Sequence, residues 1–174
     1  MKILYICRIF SGFEESLNKG IWQPTGVPTI YKIIDYLDKS KHNLNLILTD
    51  FCVGKKKQTI TGREKNFRLI LKGLKSEIYV ITDENKIPKI LGSGIRRIWS
   101  EINRQISIIY KFLILKPDII YVDRSNVASA AILTRFFKAK TIIRIMGIYP
   151  SMWEFLEKDN LRNKLFRWFF KSNF

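Results

Sequence analysis

Four polar side chains follow a short apolar segment in the second half of the chain. They are Asp123, Arg124, Ser125 and Asn126, and the segment before them reads Ile-Ile-Tyr-Val. A helix-stopping proline followed by branched and aromatic residues predicts a buried β-strand. In parallel α/β sheets, ligands are held at the carboxyl ends of such strands. We therefore expect Asp123 and Arg124 to meet polar ligand groups and Ser125 or Asn126 to cap the next helix; capping with a salt bridge is the ligand-free alternative.

A second polar cluster accompanies the next apolar segment, Thr-Ile-Ile-Arg-Ile-Met. Arg144 lies inside this segment, and Gly147 and Tyr149 lie just after it. A buried guanidinium needs an anionic partner, so we expect Arg144 to pair with a carboxylate such as Asp123, with a bound anion as the alternative. Because parallel strands end at the same edge of a sheet, both clusters are predicted to share one crevice.

A third candidate is the turn formed by Thr25 and Gly26, which directly precedes Pro28. Pro28 suits the first turn of a helix, and apolar residues continue with helical spacing over residues 28–39. The free N–H groups of a helix N-terminus favour phosphate, and glycine permits close approach. A glycine required only by the turn is the competing interpretation. The sequence GxGxxG does not follow the first strand, which disfavours a nicotinamide-dependent enzyme.

Composition limits the class of protein. A chain of 174 residues fits one domain, and folding at this size hides roughly 70% of the chain's surface, so no metal or disulfide framework is required. The two cysteines, Cys7 and Cys52, form no CxxC motif, which favours reduced thiols in a cytosolic setting. The formal net charge of +16 favours anionic partners such as nucleic acid, anionic lipid or a phosphorylated substrate. The longest apolar stretch is too short to span a bilayer.

Alternating strand and helix patterns predict the architecture. The predicted strands cover residues 2–8, 44–51, 77–82, 118–123 and 141–146, and the predicted helices cover residues 28–39, 66–74, 95–115, 126–137 and 152–170. Residues 9–27 are predicted to form a long functional loop. This order predicts one α/β domain over residues 1–174, with a doubly wound, mostly parallel, Rossmann-like sheet. The single histidine, His42, falls at the edge opposite the crevice, which disfavours a histidine-dependent nucleophile.

Two predicted helices carry both apolar and basic residues. The helix over residues 95–115 repeats apolar residues at spacings of three and four, which predicts an amphipathic helix. The last predicted helix alternates aromatic and basic residues. Core packing is the commonest reason for such a face; an anionic membrane, nucleic acid or a missing protein domain are the alternatives.

Taken in order, these segments resemble the N-terminal domain of group-one (family four) glycosyltransferases, which have the GT-B fold. The resemblance is carried by the opening strand, by residues 25–37, by His42 with the second strand, and by residues 116–122 and 144–147. It implies the N-terminal half of a GT-B fold and retaining transfer of a sugar from a nucleotide-sugar donor to an acceptor. It implies no cofactor and usually no metal.

The resemblance also implies roles for the candidate residues. Thr25 and Gly26 would lie against the donor's diphosphate, although many relatives have two glycines where this chain has Thr25. The domain's acceptor side would include Asp123, Arg124, Ser125, Asn126, Arg144, Gly147 and Tyr149. Many relatives have a histidine where this chain has Met146, so a histidine contact to the transferred sugar is not carried over, and no catalytic residue is assigned.

The function expected from the resemblance is that of a cytoplasmic glycosyltransferase fragment without its donor domain. Its acceptor would be a glycan or lipid-linked molecule of the cell envelope or of a polysaccharide, and peripheral contact with the inner face of the membrane is expected. The alternative is a non-catalytic basic α/β module that binds nucleic acid or anionic lipid. Specific nucleic-acid binding is disfavoured because the sequence has no RNP-like, KH or helix-turn-helix signature.

Overall fold

The computed structural model describes residues 1–10, 12–26, 28–50, 52–53, 58–59, 66–82, 93–123 and 126–144. The helices in this part of the chain are α1 (Phe13–Lys19), α2 (Pro28–Lys39), α3 (Ser93–Leu115) and α4 (Val127–Phe137). The strands are β1 (Lys2–Arg8), β2 (Asn43–Thr49), β3 (Cys52–Val53), β4 (Gln58–Thr59), β5 (Phe67–Leu69), β6 (Ile78–Ile81), β7 (Ile119–Asp123) and β8 (Thr141–Arg144). The helix predicted for residues 152–170 lies outside the described residues.

Six strands form one sheet in the order β5-β6-β2-β1-β7-β8, and β3 pairs with β4 separately. Neighbours in the large sheet are parallel, except that the edge strand β5 is antiparallel to β6. From β1 the chain proceeds outward to β2 and then to the edge strand β5, returns to β6 between them, and reaches β7 on the other side of β1 through α3. The strand order therefore reverses between β1 and β7, and the carboxyl ends of these two strands form the topological switch point. The prediction of a doubly wound, mostly parallel, Rossmann-like sheet is confirmed.

The core has two layers, one on each face of the sheet. Successive residues of β1 point to opposite faces: Tyr5 packs with Ile34 of α2, whereas Leu4 and Ile6 pack with Ile108 of α3. We call these the α2 face and the α3 face. Because β1 is central and covered on both sides, it must be apolar at nearly every position, and this explains its continuous apolar run.

The segment after residue 66 is a strand, and the helix predicted for residues 66–74 is wrong. Phe67, Leu69 and Leu71 turn toward the core, while Arg68 and Ile70 are exposed. This alternation has the period of two that a strand requires. Arg68 also pairs with Glu77 beside β6.

The connection between β1 and α2, which was predicted as a loop over residues 9–27, contains the short helix α1. Phe13 begins α1 and is fully buried, with its ring 5.4 Å from that of Phe10 and 6.2 Å from that of Trp22. Gly12 before it has a φ of 87°, and a Cβ at this position would overlap the carbonyl oxygen of Thr25. The backbone of this connection can therefore fold back on itself only because residue 12 is glycine.

Helix α3 packs on the sheet through Ile108, Ile109, Phe112 and Leu115, but much of the apolar stripe predicted from its sequence faces solvent. Ile102 and Ile106 are exposed, whereas Arg104 and Gln105 are buried. No helix within the described residues combines the length and the apolar character that a bilayer span requires.

We predict that Gly12→Ala destabilises the fold by about 2–4 kcal/mol, the sum of a left-handed backbone penalty and an overpacked contact. Gly20→Ala is the matched control, because Gly20 also has a positive φ, of 65°, but an added Cβ there meets no atom within 4 Å. Urea denaturation of both variants measures the difference. Equal losses of stability in the two variants would contradict the close approach to Thr25.

Candidate functional site

A buried hydrogen-bond network joins the carboxyl ends of β1, β2 and β7. One carboxylate oxygen of Asp123 accepts the backbone N–H of Arg8 at 3.0 Å, and the other accepts the side-chain amide of Asn126 at 2.9 Å. The amide oxygen of Asn126 in turn accepts the hydroxyl of Thr49 at 3.2 Å. We call these four residues the carboxyl-edge network. The network fixes the three strand ends relative to one another at the switch point.

The network changes the roles expected of two residues. Asp123 was predicted to project toward a ligand, but it is buried and both of its carboxylate oxygens accept hydrogen bonds within the protein. Asn126 occupies the N-cap position of α4, yet its side chain makes no capping bond because it is directed toward Thr49 and Asp123. Both side chains therefore position the strand ends. The other residues predicted here, Arg124 and Ser125, lie outside the described residues, as do Gly147 and Tyr149 further on.

Arg144 is only partly buried, and the expected ion pair between Arg144 and Asp123 is not formed. The two residues are partners in the β7–β8 register. The oxygens of Asp123 accept the bonds described above, and Arg144 forms no ion pair within 4 Å with any carboxylate of the described residues. The cation instead borders an open groove, where an anionic group could bind it.

This groove has a volume of about 790 Å³ and lies on the α2 face, between α2 and the strands β7 and β8. Its lining is mainly apolar and consists of Met1, Ile3, Thr29, Lys32, Ile33, Tyr36, Leu37, His42, Ile119, Tyr121, Ile142 and Arg144. Met1 and His42 mark the amino edge of the sheet. Thr29, in the first turn of α2, and Arg144, at the end of β8, mark the carboxyl edge. The groove thus brings the start of α2 and the end of β8 to one opening.

The glycine turn before α2 lies at the same edge. Gly26 has a φ of 94°, a conformation that favours glycine, and both it and Thr25 are exposed. The backbone N–H of Thr25 donates to the carbonyl of Gly12 at 3.4 Å, which ties this turn to the segment that leaves β1. The turn, the start of α2 and Arg144 therefore all lie on the carboxyl side of the sheet.

Cys7 does not provide a nucleophile to this edge. Its side chain is fully buried, and burial raises the pKa of the thiol well above its usual value, with the negative charge of Asp123 raising it further. The thiol is therefore protonated at neutral pH, as expected of a buried apolar residue. Within the described part of the chain, no group of three or more His, Cys, Asp or Glu residues could hold a metal ion.

Sequence reasoning missed Thr49 and Gly12. Thr49 is the polar residue that ends the otherwise apolar run of β2, and this position was the available signal. Gly12 gave no local signal, because its positive φ and the approach of the distant Thr25 appear only in the folded chain.

Comparison with protein-family models gave no match, and comparison with curated proteins gave none. Among solved structures, the chain is similar to that of UDP-GlcNAc 2-epimerase from Methanocaldococcus jannaschii, with 17% sequence identity and a TM-score of 0.48. The similarity covers 95% of this chain and 36% of that one, so this chain spans about a third of that protein's length. The fold class stated above depends on the strand order and not on this similarity.

We predict that Asp123→Ala lowers the free energy of unfolding by about 2–4 kcal/mol, because it leaves the buried Asn126 amide and the part-buried Arg8 N–H without their partner. Asp118→Ala is the matched control. Asp118 stands just before β7 and accepts the backbone N–H of Lys2 at 2.6 Å, but at an exposed position where water can replace it. Urea denaturation should show a clearly smaller loss for the control. Losses of similar size would contradict a special role for the buried carboxylate.

The Cys7 thiol should resist alkylation in the folded protein. In a Cys52→Ser background, iodoacetamide at mildly alkaline pH should modify Cys7 only after denaturant is added, because the raised pKa and full burial keep the thiol protonated and covered. Mass spectrometry of the native and the unfolded protein measures this. Rapid labelling of the native protein would contradict it.

Proposed function

We propose that this chain is the acceptor-side, N-terminal domain of a retaining GT-B glycosyltransferase. The proposed reaction transfers a sugar from a nucleotide-sugar donor to a cell-envelope or polysaccharide acceptor, at the cytoplasmic face of a membrane. The observation that carries the proposal is the arrangement at the carboxyl edge, where Arg144 and the first turn of α2 border one groove beside the switch point. This is the place where doubly wound sheets bind their ligands.

The charges at this edge suit the proposed chemistry. Departure of a nucleoside diphosphate leaves negative charge, which helix N-termini and cations stabilise. The exposed turn at Thr25 and Gly26 leads into the N-terminus of α2, and its backbone can approach a phosphate closely. Arg144 would bind a hydroxyl or an anionic group of the acceptor. The buried network around Asp123 would hold these groups in place without touching either substrate.

We propose that a second domain is needed to complete the donor site for catalysis. In this proposal, the turn at Gly26 contributes one diphosphate contact, and the remaining cations and the contacts to the sugar and base belong to the second domain. The chain alone is therefore expected to bind nucleotide sugars only weakly and to bind its acceptor measurably.

A second candidate function is that of a non-catalytic module that binds anionic lipid. The net charge of +16 and the exposed apolar side chains of α3 favour it. This candidate predicts binding to lipid vesicles without binding to glycans, so one set of binding measurements separates the two functions.

The test is binding of the full chain to immobilised glycans and lipid-linked saccharides, with Arg144→Gln as the test variant and Arg135→Gln on α4 as the control. Removing a charge-assisted contact should weaken acceptor binding about tenfold or more in Arg144→Gln, and the control should stay near the wild type. Absence of glycan binding by the wild type, or equal loss in both variants, would contradict the proposal.

Nucleotide-sugar binding provides the second measurement. Isothermal titration with UDP- and GDP-hexoses should give dissociation constants of about 1 mM or weaker for the chain alone, because a single glycine turn supplies little of the required binding energy. Micromolar binding would overturn the division of the site between two domains.

A further inference from the structure

Helix α3 presents an apolar surface to solvent along most of its length. Seven large side chains are between 44% and 63% exposed: Ile98, Trp99, Ile102, Ile106, Tyr110, Leu113 and Ile114. Spacings of three and four residues place them on one side of the helix, and we call this surface the α3 arc. On the inward side, Arg104 and Gln105 are each only 9% exposed, and Arg104 pairs with Glu101. The helix is therefore more apolar toward solvent than a surface helix ordinarily is.

The size of the α3 arc marks it as an interaction surface. Aromatic side chains present roughly 150–250 Å² each, and the transfer free energy of isoleucine or leucine corresponds to roughly 60–120 Å² each, so these seven at about half exposure leave on the order of 400–500 Å² uncovered. This is comparable to the largest apolar patch of a typical monomer, and such patches often mark contact with a protein or a membrane.

Lysines border the arc at its C-terminal end. The ring of Phe112 in α3 lies 5.6 Å from that of Phe137 in α4, so the two helices end side by side. Phe136, the residue before Phe137, is 63% exposed. The residues that follow the two helices, Lys116 and Lys138, are both exposed. The sequence of α3 itself has four basic residues and one acidic residue.

We propose that the α3 arc docks on an anionic lipid surface. Isoleucine and leucine side chains would enter the boundary between headgroups and acyl chains, with Trp99 and Tyr110 at headgroup level and the lysines on lipid phosphates. The net charge of +16 strengthens attraction to such a surface. The same charge disfavours a second copy as the occupant, because two copies repel and the arc contains no acidic residue to offset this repulsion.

This inference deepens the proposed location at a membrane but does not depend on sugar transfer. Vesicle binding requires neither donor nor acceptor. Binding to vesicles without binding to glycans would support the docking surface and contradict the proposed enzymatic function. Binding to glycans without binding to vesicles would support the function and contradict the docking surface.

The experiment is co-sedimentation of the full chain with vesicles of phosphatidylcholine alone or mixed with phosphatidylglycerol. The test variant is Ile106→Ser in the arc. The matched control is Ile70→Ser after β5, which removes one isoleucine of comparable exposure, 66% against 58%, outside both the arc and the groove. Circular dichroism and thermal unfolding establish that both variants fold.

We expect the wild type and the control to bind the anionic vesicles with similar affinity. The affinity of the arc variant should be lower by about tenfold or more. Lack of binding by the wild type, or equal loss in the two variants, would overturn the proposal. Ultracentrifugation without lipid tests the other occupant: a dimer that the arc variant dissociates would show that a second copy covers the arc. A loss of folding in the arc variant alone would instead assign the arc to internal packing.

Discussion

The carboxylate of Asp123 is the group on which the candidate site depends. A charge removed from water is tolerated only when its oxygens are hydrogen-bonded. Here one oxygen binds the Arg8 backbone and the other binds the Asn126 amide, which in turn reaches Thr49. Three strand ends are therefore held by one connected set of bonds, and the exposed groups around them gain a rigid support.

This support separates positioning residues from contact residues at the switch point. Asp123 and Asn126 are buried, whereas Arg144 and the turn at Gly26 border open space. The division is physically reasonable, because a ligand-binding edge needs rigid strand ends and also polar groups that remain accessible. Under the proposed function, Arg144 would touch the acceptor and the carboxyl-edge network would keep the edge in register.

The sequence predicts most of the sheet because local pattern and burial agree there. The apolar run predicts β1, Pro28 predicts the start of α2, and the proline before β7 predicts the start of that strand. Apart from residues 66–74, the predicted helices and strands agree within two residues at every end that lies within the described residues. The pattern fails where tertiary contacts decide. Residues 66–74 combine apolar and basic types that suit a helix, yet pairing with β6 makes Phe67–Leu69 a strand. Gly12 is required because its φ is positive and because Thr25 folds back against it.

The candidate site was predictable in its position but less so in its roles. Parallel strands place Asp123 and Arg144 at one edge, as sequence order requires, but only the packed structure shows that Asn126 binds Asp123 and not the helix backbone. Helical periodicity likewise predicts the stripe along α3, but not that it faces solvent. Periodicity defines the two sides of a helix, and the assembly of the layers decides which side is covered.

Native-state hydrogen exchange of the Arg8 amide tests the central claim most directly. If the Asp123 carboxylate holds the ends of β1 and β7 together, this N–H should exchange about as slowly as the ladder amides of Ile6 and Cys7, and it should become fast in Asp123→Ala while those amides remain protected. Rapid exchange of the Arg8 amide in the wild type, at the rate of an open loop, would contradict the account.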